Sequence, residues 1–262
     1  MAASTSRLND KVSIITGAAS GIGKACALRF GAEGAIVVVS DRDPAGAAAV
    51  AEQITRDGGR AFAHPVDVTD ATQVQRLVEQ TAAAHGRLDV LFNNAGGAQP
   101  QPTHETGIEQ YRHIVALNLD SVFYGVHAAL PIMMRQRHGT ILSTTSGAGI
   151  NAVEGLAAYG AAKAGVISLM RNIAVEYGGF GIRANTLSPG PMDTPGLRQW
   201  LNTLPGGADA YAAQVPSGRL GTAEDIAAAA VFLASDEAFF VNGAVLPVDG
   251  AIHARLSSPR VG

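Results

Sequence analysis

The sequence predicts an α/β fold: a doubly wound, parallel seven-stranded sheet with helices on both faces. Seven short apolar runs, rich in β-branched residues, alternate with longer helical patterns along the 262 residues. Parallel neighbours need a crossover connection, usually a helix, so this alternation favours a parallel sheet with right-handed connections. A glycine-rich turn after the first strand is the second observation, because doubly wound folds commonly begin with one.

The predicted strands are short and mostly apolar, as expected for strands that are buried on both faces. They are residues 11–16, 35–40, 60–66, 89–93, 140–143, 182–187 and 243–248.

Helical patterns fill the connections, and several carry start and stop signals. Pro44 suits a first helical turn, Gly58 suits a helix end, and Asp70 suits an N-cap. The long apolar stretch at 108–135 is expected to break before Pro131, because proline removes a helix hydrogen bond. The predicted helices are 21–33, 44–56, 70–86, 108–135, 157–177 and 224–234.

Composition narrows the function classes. The net charge of −3 and the 16% of charged residues give no basic footprint for nucleic acid or an anionic membrane. Cys26 is the single cysteine, which excludes an internal disulfide and fits a reducing compartment. The first ten residues lack a signal-peptide core, and no apolar run approaches about 20 residues. These features predict a cytoplasmic protein. No histidine pair has zinc-like spacing beside an acid, so we expect no metal site.

The glycine-rich turn carries the first chemical signal. Gly17 permits a tight turn, Gly21 lets the backbone approach a pyrophosphate, and Gly23 allows close helix packing. The helix that begins here points its N-terminus at the phosphates. This is a Rossmann-type arrangement, although the spacing differs from the usual G-x-G-x-x-G.

Asp41 ends the second strand, where a carboxylate can accept hydrogen bonds from both hydroxyls of an adenosine ribose. It would also repel a 2′-phosphate, which favours NAD over NADP. The adjacent Arg42 favours NADP in principle, but Asp41 has the better defined position at the strand tip.

Tyr159 and Lys163 are four residues apart on one predicted helix and therefore share a face. A positive charge close to a tyrosine favours the phenolate, so such a pair can act as a general acid and base near neutral pH.

These motifs together resemble the short-chain dehydrogenase/reductase family in its compact single-domain form, from about residue 7 to 251. The matching segments, in chain order, are Thr16-Gly17-Ala18-Ala19-Ser20-Gly21-Ile22-Gly23, Asp67-Val68, Asn93-Asn94-Ala95-Gly96, Asn118, Ser146, Tyr159 with Lys163, and Pro189-Gly190 with Thr194.

The resemblance implies a role for each of these residues. Tyr159 exchanges a proton with the substrate oxygen, and Ser146 stabilises charge on that oxygen. Lys163 binds the nicotinamide ribose and lowers the Tyr159 pKa, while Asn118 positions a water that links Lys163 to solvent. The implied cofactor site comprises Gly17, Ser20, Gly21, Ile22, Gly23, Asp41, Arg42, Asp67, Val68, Asn94, Ala95, Gly96, Tyr159, Lys163, Pro189, Gly190, Met192 and Thr194.

Several positions depart from the family pattern. Thr144 and Thr145 replace a common serine pair, and Met192 stands where an aliphatic residue is usual. Ser20 is not basic, whereas NADP-preferring relatives often carry a cation there. Asp249-Gly250-Ala251 resembles the family's Asp-Gly-Gly close, which we interpret as structural.

The sequence therefore predicts an NAD(H)-dependent oxidoreductase of a secondary alcohol or ketone. The alternative is a dinucleotide-binding redox sensor or an inactive relative, which would need the glycines and Asp41 but not Ser146 with Tyr159 and Lys163. The small residues of helix 157–177 and the family resemblance predict a homo-oligomer, specifically a tetramer.

We expect a single dinucleotide-binding and catalytic domain over 1–262, with a mobile substrate lid at about 195–216. This Pro- and Gly-rich insertion carries Leu197, Trp200, Leu201 and Leu204 at helical spacing. Packing of these four on the domain core is the alternative. Arg198, the only cation nearby, could serve one substrate carboxylate, but bulky secondary alcohols or ketones are favoured.

Overall fold

The strands of the protein are held in one parallel sheet. A computed structural model describes residues 6–97 and 99–255, so residues 1–5, 98 and 256–262 of the predicted domain lie outside the described residues. Within the described part, seven strands follow the order β3-β2-β1-β4-β5-β6-β7, which confirms the predicted fold class. They are β1 (Val12–Thr16), β2 (Ile36–Asp41), β3 (Arg60–Pro65), β4 (Val90–Asn93), β5 (Gly139–Thr144), β6 (Ile182–Pro189) and β7 (Val245–Val248).

Helices cover both faces of this sheet and form two apolar cores. One core includes Phe30 and Ile226, and the other includes Leu77, Met133 and Met170, all at most 1% exposed. The helices in the described ranges are α1 (Gly21–Ala32), α2 (Pro44–Arg56), α3 (Ala71–His85), α4 (Ile108–Val115), α5 (Ser121–Gln136), α6 (Ala157–Tyr177), α7 (Pro195–Leu201), α8 (Gly207–Ala212) and α9 (Ala223–Ala234).

The predicted helix break before Pro131 is wrong. Helix α5 continues through Pro131, which lies on its exposed side. The irregularity instead lies at Ala116–Asp120, where a π-helical turn joins α4 to α5. The extra residue of a π turn gives a wider loop of backbone, and such turns are frequent at functional sites.

The continuous helical stretch Ile108–Gln136 is long and apolar enough to cross a membrane by length and composition alone, contrary to the expectation that no run approaches that size. Its inner face is buried against the sheet and α3, through residues such as Val122, Val126 and Met133. Packing inside the fold accounts for the apolar residues of this inner face, whereas Ile108, Tyr111 and Phe123 of the same stretch are exposed.

The strand order creates the crevice that holds the site. After β3 the chain crosses over β1 and β2 to add β4 on the other side of β1, so the helices that follow β1 and β4 lie on opposite faces. Ligands of open α/β sheets bind beyond the carboxyl ends of the strands at such a switch point.

Candidate active site

A cavity of about 820 Å³ opens at the carboxyl ends of the strands. Every residue predicted to contact the cofactor lines this cavity, as does Ser146. Asn118 does not line it, because it is buried behind Gly96. The predicted site residues therefore come together in space, although they come from seven separate chain segments.

The turn between β1 and α1 leaves no room for side chains at two of its glycines. Gly17 has φ +65°, and a Cβ there would lie 2.8 Å from the Cα of Ala95. A Cβ on Gly23 would overlap the carbonyl oxygen of Gly17. The chain thus packs backbone on backbone here, and the first amides of α1 remain open toward the cavity.

Asp41 is held in place at the tip of β2. Its carboxylate accepts hydrogen bonds from the backbone N–H groups of Ala19 and Asp43, each at 3.0 Å. Arg42 lines the same end of the cavity, and its charge helps to lower the pKa of Asp67, after the larger effect of hydrogen bonds from Thr69.

Asn94 ties three strand ends together. Its Nδ2 donates to the carbonyl oxygens of Thr16 at 3.1 Å and Gly17 at 3.3 Å, and its Oδ1 accepts from Thr144 at 3.1 Å. The backbone N–H of Asn94 donates to the Thr16 hydroxyl at 3.0 Å. This network fixes the glycine turn relative to β4 and β5.

Tyr159 and Ser146 are the two residues predicted to face the substrate oxygen, and both line the cavity. Ser146 follows β5 and Tyr159 lies in the first turn of α6, so the two hydroxyls meet across the cavity floor. Burial raises the Tyr159 pKa, and the hydrogen bond with Ser146 opposes that rise in part. The lowering of the Tyr159 pKa expected from Lys163 is not seen, since burial is the largest cause of the shift and Lys163 is not among its causes.

Lys163 is buried beneath Tyr159. Its Nζ lies 5.6 Å from the centre of the tyrosine ring and donates to the backbone oxygen of Thr144 at 2.9 Å. The hydroxyl of Thr145 donates to the backbone oxygen of Lys163 at 2.8 Å. The two threonines thus help to position Lys163, whose pKa burial lowers to about 8.

Asn118 lies within the π-helical turn and is fully buried. Its amide exchanges two hydrogen bonds with the backbone of Gly97, both at 2.9 Å, and Nδ2 also donates to the oxygen of Ile114. A Cβ on Gly96 would contact both the Asn118 amide and Lys163 Nζ. The backbone that follows β4 therefore runs between these two side chains.

The segment after β6 closes the far end of the cavity. Met192 is buried, and its thioether fills the space that a side chain on Gly221 would need. The Thr194 hydroxyl accepts from the Leu197 N–H at 3.2 Å and so caps α7.

Helices α7 and α8 carry aromatic residues to the cavity wall. Trp200 and Tyr211 both line it and meet edge to face, with ring centres 6.3 Å apart. Leu197 also lines it, whereas Leu201 is buried beneath and Leu204 is exposed. The four predicted residues thus divide between the cavity, the core and solvent.

Arg198 does not serve the cavity. Its guanidinium forms a two-pronged ion pair with Asp193, and it is not among the residues that line the site. The predicted option that Arg198 binds a substrate carboxylate is therefore not supported.

Sequence reasoning missed several residues at the substrate end, contributed mostly by loops and by the segment after β7, with His113 on α4 and Tyr211 on α8. The signal for one of them was present, because His253 lies four residues after Asp249. These lining residues are Pro100, His113, Asn151, Val153, Glu154, Leu156, Tyr211, Ile252 and His253.

The site fits a nicotinamide dinucleotide. The turn after β1 has no room for a side chain at Gly17 or Gly23, a fixed carboxylate ends β2, and Ser146, Tyr159 and Lys163 lie at the other end of the same cavity. The first two features suit the adenosine diphosphate half, and the others suit proton exchange at a reacting oxygen.

Comparison with known proteins supports the same conclusion. A family model described as enoyl-(acyl carrier protein) reductase matches residues 17–253. Meso-2,3-butanediol dehydrogenase of Serratia marcescens is 38% identical over 97% of this chain and 99% of its own length. Levodione reductase of Leifsonia aquatica is 39% identical over 94% of this chain and 95% of its own.

Solved structures agree in fold. A 7α-hydroxysteroid dehydrogenase complexed with NADH and 7-oxo glycochenodeoxycholic acid has a TM-score of 0.89 and 36% identity, covering 94% of this chain and 95% of its own. A gluconate 5-dehydrogenase from Burkholderia cenocepacia, in complex with NADP and tartrate, has a TM-score of 0.91 and 31% identity, covering 96% and 98%.

Fold and site together define a nicotinamide-dependent oxidoreductase that acts on CH–OH or C=O groups. The similarity spans nearly the whole chain in both sequence and structure. The chain belongs to the short-chain dehydrogenase/reductase family.

Proposed function

We propose that the protein interconverts a secondary alcohol and a ketone with NAD(H), using Tyr159 as the proton carrier. The placement of Tyr159, Ser146 and Lys163 together on the same cavity as the glycine turn carries this proposal. The activities of the butanediol dehydrogenase and the levodione reductase support the same substrate class.

In ketone reduction, Tyr159 donates its phenolic proton to the carbonyl oxygen, and Ser146 donates a hydrogen bond to that oxygen as charge develops. The bound nicotinamide supplies the hydride to the carbonyl carbon. The raised Tyr159 pKa keeps the hydroxyl protonated and suits this donor role. In alcohol oxidation the same groups act in reverse, and the positive charge of Lys163 stabilises the phenolate that accepts the proton.

Asp41 supports NAD as the preferred cofactor. Its carboxylate is fixed by two backbone N–H groups at the strand tip, where a 2′-phosphate would meet a like charge. Ser20, in the glycine turn, offers no positive charge to a 2′-phosphate. NADP remains the less favoured cofactor.

Residues 195–216 act as a lid over a largely apolar substrate end. Trp200 and Leu197 on α7 and Tyr211 on α8 line the cavity, and Gly206, with φ +78°, separates the two helices. Glycines at such a junction suit the backbone changes of a hinge. This lid belongs to the single domain predicted over 1–262.

A homo-oligomer, specifically a tetramer, accounts for apolar side chains exposed on the outer face. Ile108, Tyr111 and Phe123 are about half exposed or more along the α4–α5 stretch. Ala161 and Ala164 are exposed on α6, whereas Gly165 packs against Leu119 of the same chain. Light scattering tests the proposal, and a 26.8 kDa particle at micromolar concentration would contradict it.

A cytoplasmic location is consistent with the cysteine content. Cys26 is the single cysteine of the chain, lies on α1 and is fully buried in the core. Nothing in the fold therefore depends on an oxidising compartment. Fractionation of cells that express the protein tests this location.

A screen of secondary alcohols and ketones, with NAD(H) and NADP(H) followed by absorbance of the reduced cofactor, tests the proposed reaction. Turnover of several such compounds supports it. Tight NADH binding without turnover of any compound would instead favour a dinucleotide-binding sensor.

A further inference from the structure

A buried carboxylate orients a histidine at the wall of the cavity. Asp249, directly after β7, has a side chain only 7% exposed. It accepts hydrogen bonds from the backbone N–H of Ala251 at 3.0 Å and of His253 at 3.1 Å. The same carboxylate lies 2.6 Å from Nδ1 of the His253 ring. The ring is therefore fixed both through its backbone and through its side chain.

This pair lies beside the reactive end of the cavity. Val248 pairs with Pro189 in the sheet, and a Cβ on Gly190 would lie 2.6 Å from the Cα of Asp249. His253 and its neighbour Ile252 line the same cavity as Tyr159 and Trp200. The histidine thus faces the space between the predicted nicotinamide segment and the lid.

The carboxylate decides which ring nitrogen is available. With Nδ1–H donated to Asp249, the lone pair of a neutral imidazole lies on Nε2, which can accept a hydrogen bond. Nε2 has no hydrogen-bond partner among residues 6–97 and 99–255. An oriented acceptor with no protein donor is suited to a hydroxyl group of a ligand.

The surrounding charges argue against a carboxylate as that ligand. Glu154 lines the substrate end, and Arg198 is paired with Asp193 away from the cavity. Within the described ranges, the remaining fixed cations of the lining are Arg42, at the opposite end, and Lys163, beneath Tyr159. An anionic substrate would meet Glu154 without a free cation beside His253.

We propose that His253, oriented by Asp249, is a specificity-determining residue that accepts a hydrogen bond from a second hydroxyl of the substrate. Preferred substrates are then diols, polyols or hydroxyketones rather than simple alcohols. This inference rests on the proposed function, because it assumes that Tyr159 exchanges a proton with the first oxygen.

Paired substrates test the assignment. We would measure kcat and KM for pentan-2-ol, pentane-2,3-diol and pentane-2,4-diol with NAD, in wild type and in His253→Phe. Phenylalanine keeps the ring volume but lacks the acceptor. We expect kcat/KM for the better diol to fall about tenfold, mainly through KM, as for a lost hydrogen bond. The value for pentan-2-ol should change little.

Three further variants separate recognition from structure. His253→Gln keeps an acceptor oxygen and should restore part of the preference for the diol. Asp249→Asn weakens the orientation of the ring and should lower the diol preference while pentan-2-ol is spared. His104→Phe, at an exposed histidine outside the cavity, should leave all three substrates unchanged. NADH titration and thermal unfolding verify that each variant is folded.

The outcomes distinguish two failures. Two results would overturn the role of His253 and leave the proposed reaction standing. One is that His253→Phe lowers kcat/KM equally for the diols and for pentan-2-ol. The other is that wild type shows no preference for a diol. If wild type oxidised none of the three and reduced no ketone of the screen, the proposed reaction would fail, and this inference with it.

Discussion

The ammonium group of Lys163 lies 5.6 Å from the ring centre of Tyr159, yet its hydrogen bond goes to the backbone of Thr144. The Tyr159 hydroxyl lies on the side of Ser146, whose hydroxyl affects the Tyr159 pKa. Lys163 and the Tyr159 hydroxyl are therefore not joined by a hydrogen bond in this arrangement. Thr144, at the end of β5, holds Lys163, and Ser146 belongs to the loop that follows this strand.

Tyr159→Phe should remove turnover while NADH binding stays nearly intact. The variant keeps the ring but loses the proton carrier, and loss of general acid–base catalysis costs roughly 10²–10⁴-fold in rate. Steady-state kcat and NADH titration measure the two effects. Tyr111→Phe, on an exposed tyrosine of α4, is the matched control. Wild-type kcat in Tyr159→Phe would show that another group carries the proton.

Stability without cofactor should rise with pH because of Lys163. Burial lowers its pKa from 10.5 to about 8, so between these values the unfolded chain holds a proton here that the folded chain lacks. The destabilising contribution is full below pH 8, on the order of 3 kcal/mol at about 1.4 kcal/mol per pKa unit, and is lost toward pH 10.5.

Urea unfolding at pH 7 to 10 measures this effect. Lys163→Met should be more stable relative to wild type at pH 7 than at pH 10. Lys24→Met, on α1, should follow the wild-type trend. A constant difference between Lys163→Met and wild type across this range would argue against a neutralised lysine.

Wild type should prefer NAD over NADP, and Asp41→Ala should reduce that preference by about tenfold or more. Removal of the carboxylate removes the repulsion of the 2′-phosphate, which is worth about 1–4 kcal/mol for charges some 4 Å apart in water or near a protein surface. The ratio of kcat/KM for the two cofactors measures it. Asp57→Ala, at the exposed end of α2, should leave the ratio unchanged. Equal use of both cofactors by wild type would point to Arg42 instead.

Trp200→Ala should raise KM or lower kcat for the best substrate and leave NADH affinity unchanged. Trp200 lines the cavity and meets Tyr211 edge to face, so its loss opens the substrate end. Leu201→Ala is a control in the same helix, since Leu201 is buried and should cost about 2–5 kcal/mol of stability. If Trp200→Ala behaved like Leu201→Ala, with lower stability and unchanged kinetics, Trp200 would belong to the core.

Ala251→Gly should stabilise the protein by roughly 1 kcal/mol. Ala251 has φ +71°, a left-handed conformation that costs a residue with a Cβ about 1–2 kcal/mol, partly offset by the freedom that glycine gains when unfolded. Urea unfolding measures the gain. Ala254→Gly, three residues later, lacks this strain and should bring none. If Ala251→Gly were less stable than wild type, the positive φ of Ala251 would not be a source of strain.

The sequence was most informative where local chemistry and strand order coincide. The motifs at Gly17, Asp41 and Ser146 each follow a strand, and the carboxyl ends of parallel strands share one edge, so their meeting in a single cavity was predictable. Helix bounds were predictable where a cap was present, as at Asp70, whose side chain accepts from Thr72 and Gln73.

Other features depend on contacts that no local pattern encodes. The π-helical turn around Asn118 is supported by hydrogen bonds to Gly97, which is 21 residues away in the chain. Pro131 lies on the exposed side of α5, so the helix continues past it. The orientation of His253 depends on Asp249 and on the close approach of Asp249 to Gly190, directly after β6.

The parallel strand order also determines how late in synthesis the central strands can pair. The central pair of strands, β1 and β4, meets only after a long stretch of chain: Asn94 bonds Thr16 across 78 residues. Such non-local pairing makes folding slow relative to helical proteins of similar size. A nascent chain therefore carries an incomplete β1 edge until β4 has emerged from the ribosome. Unpaired strand edges of this kind are prone to aggregate, so this interval is where the chain most needs protection by chaperones.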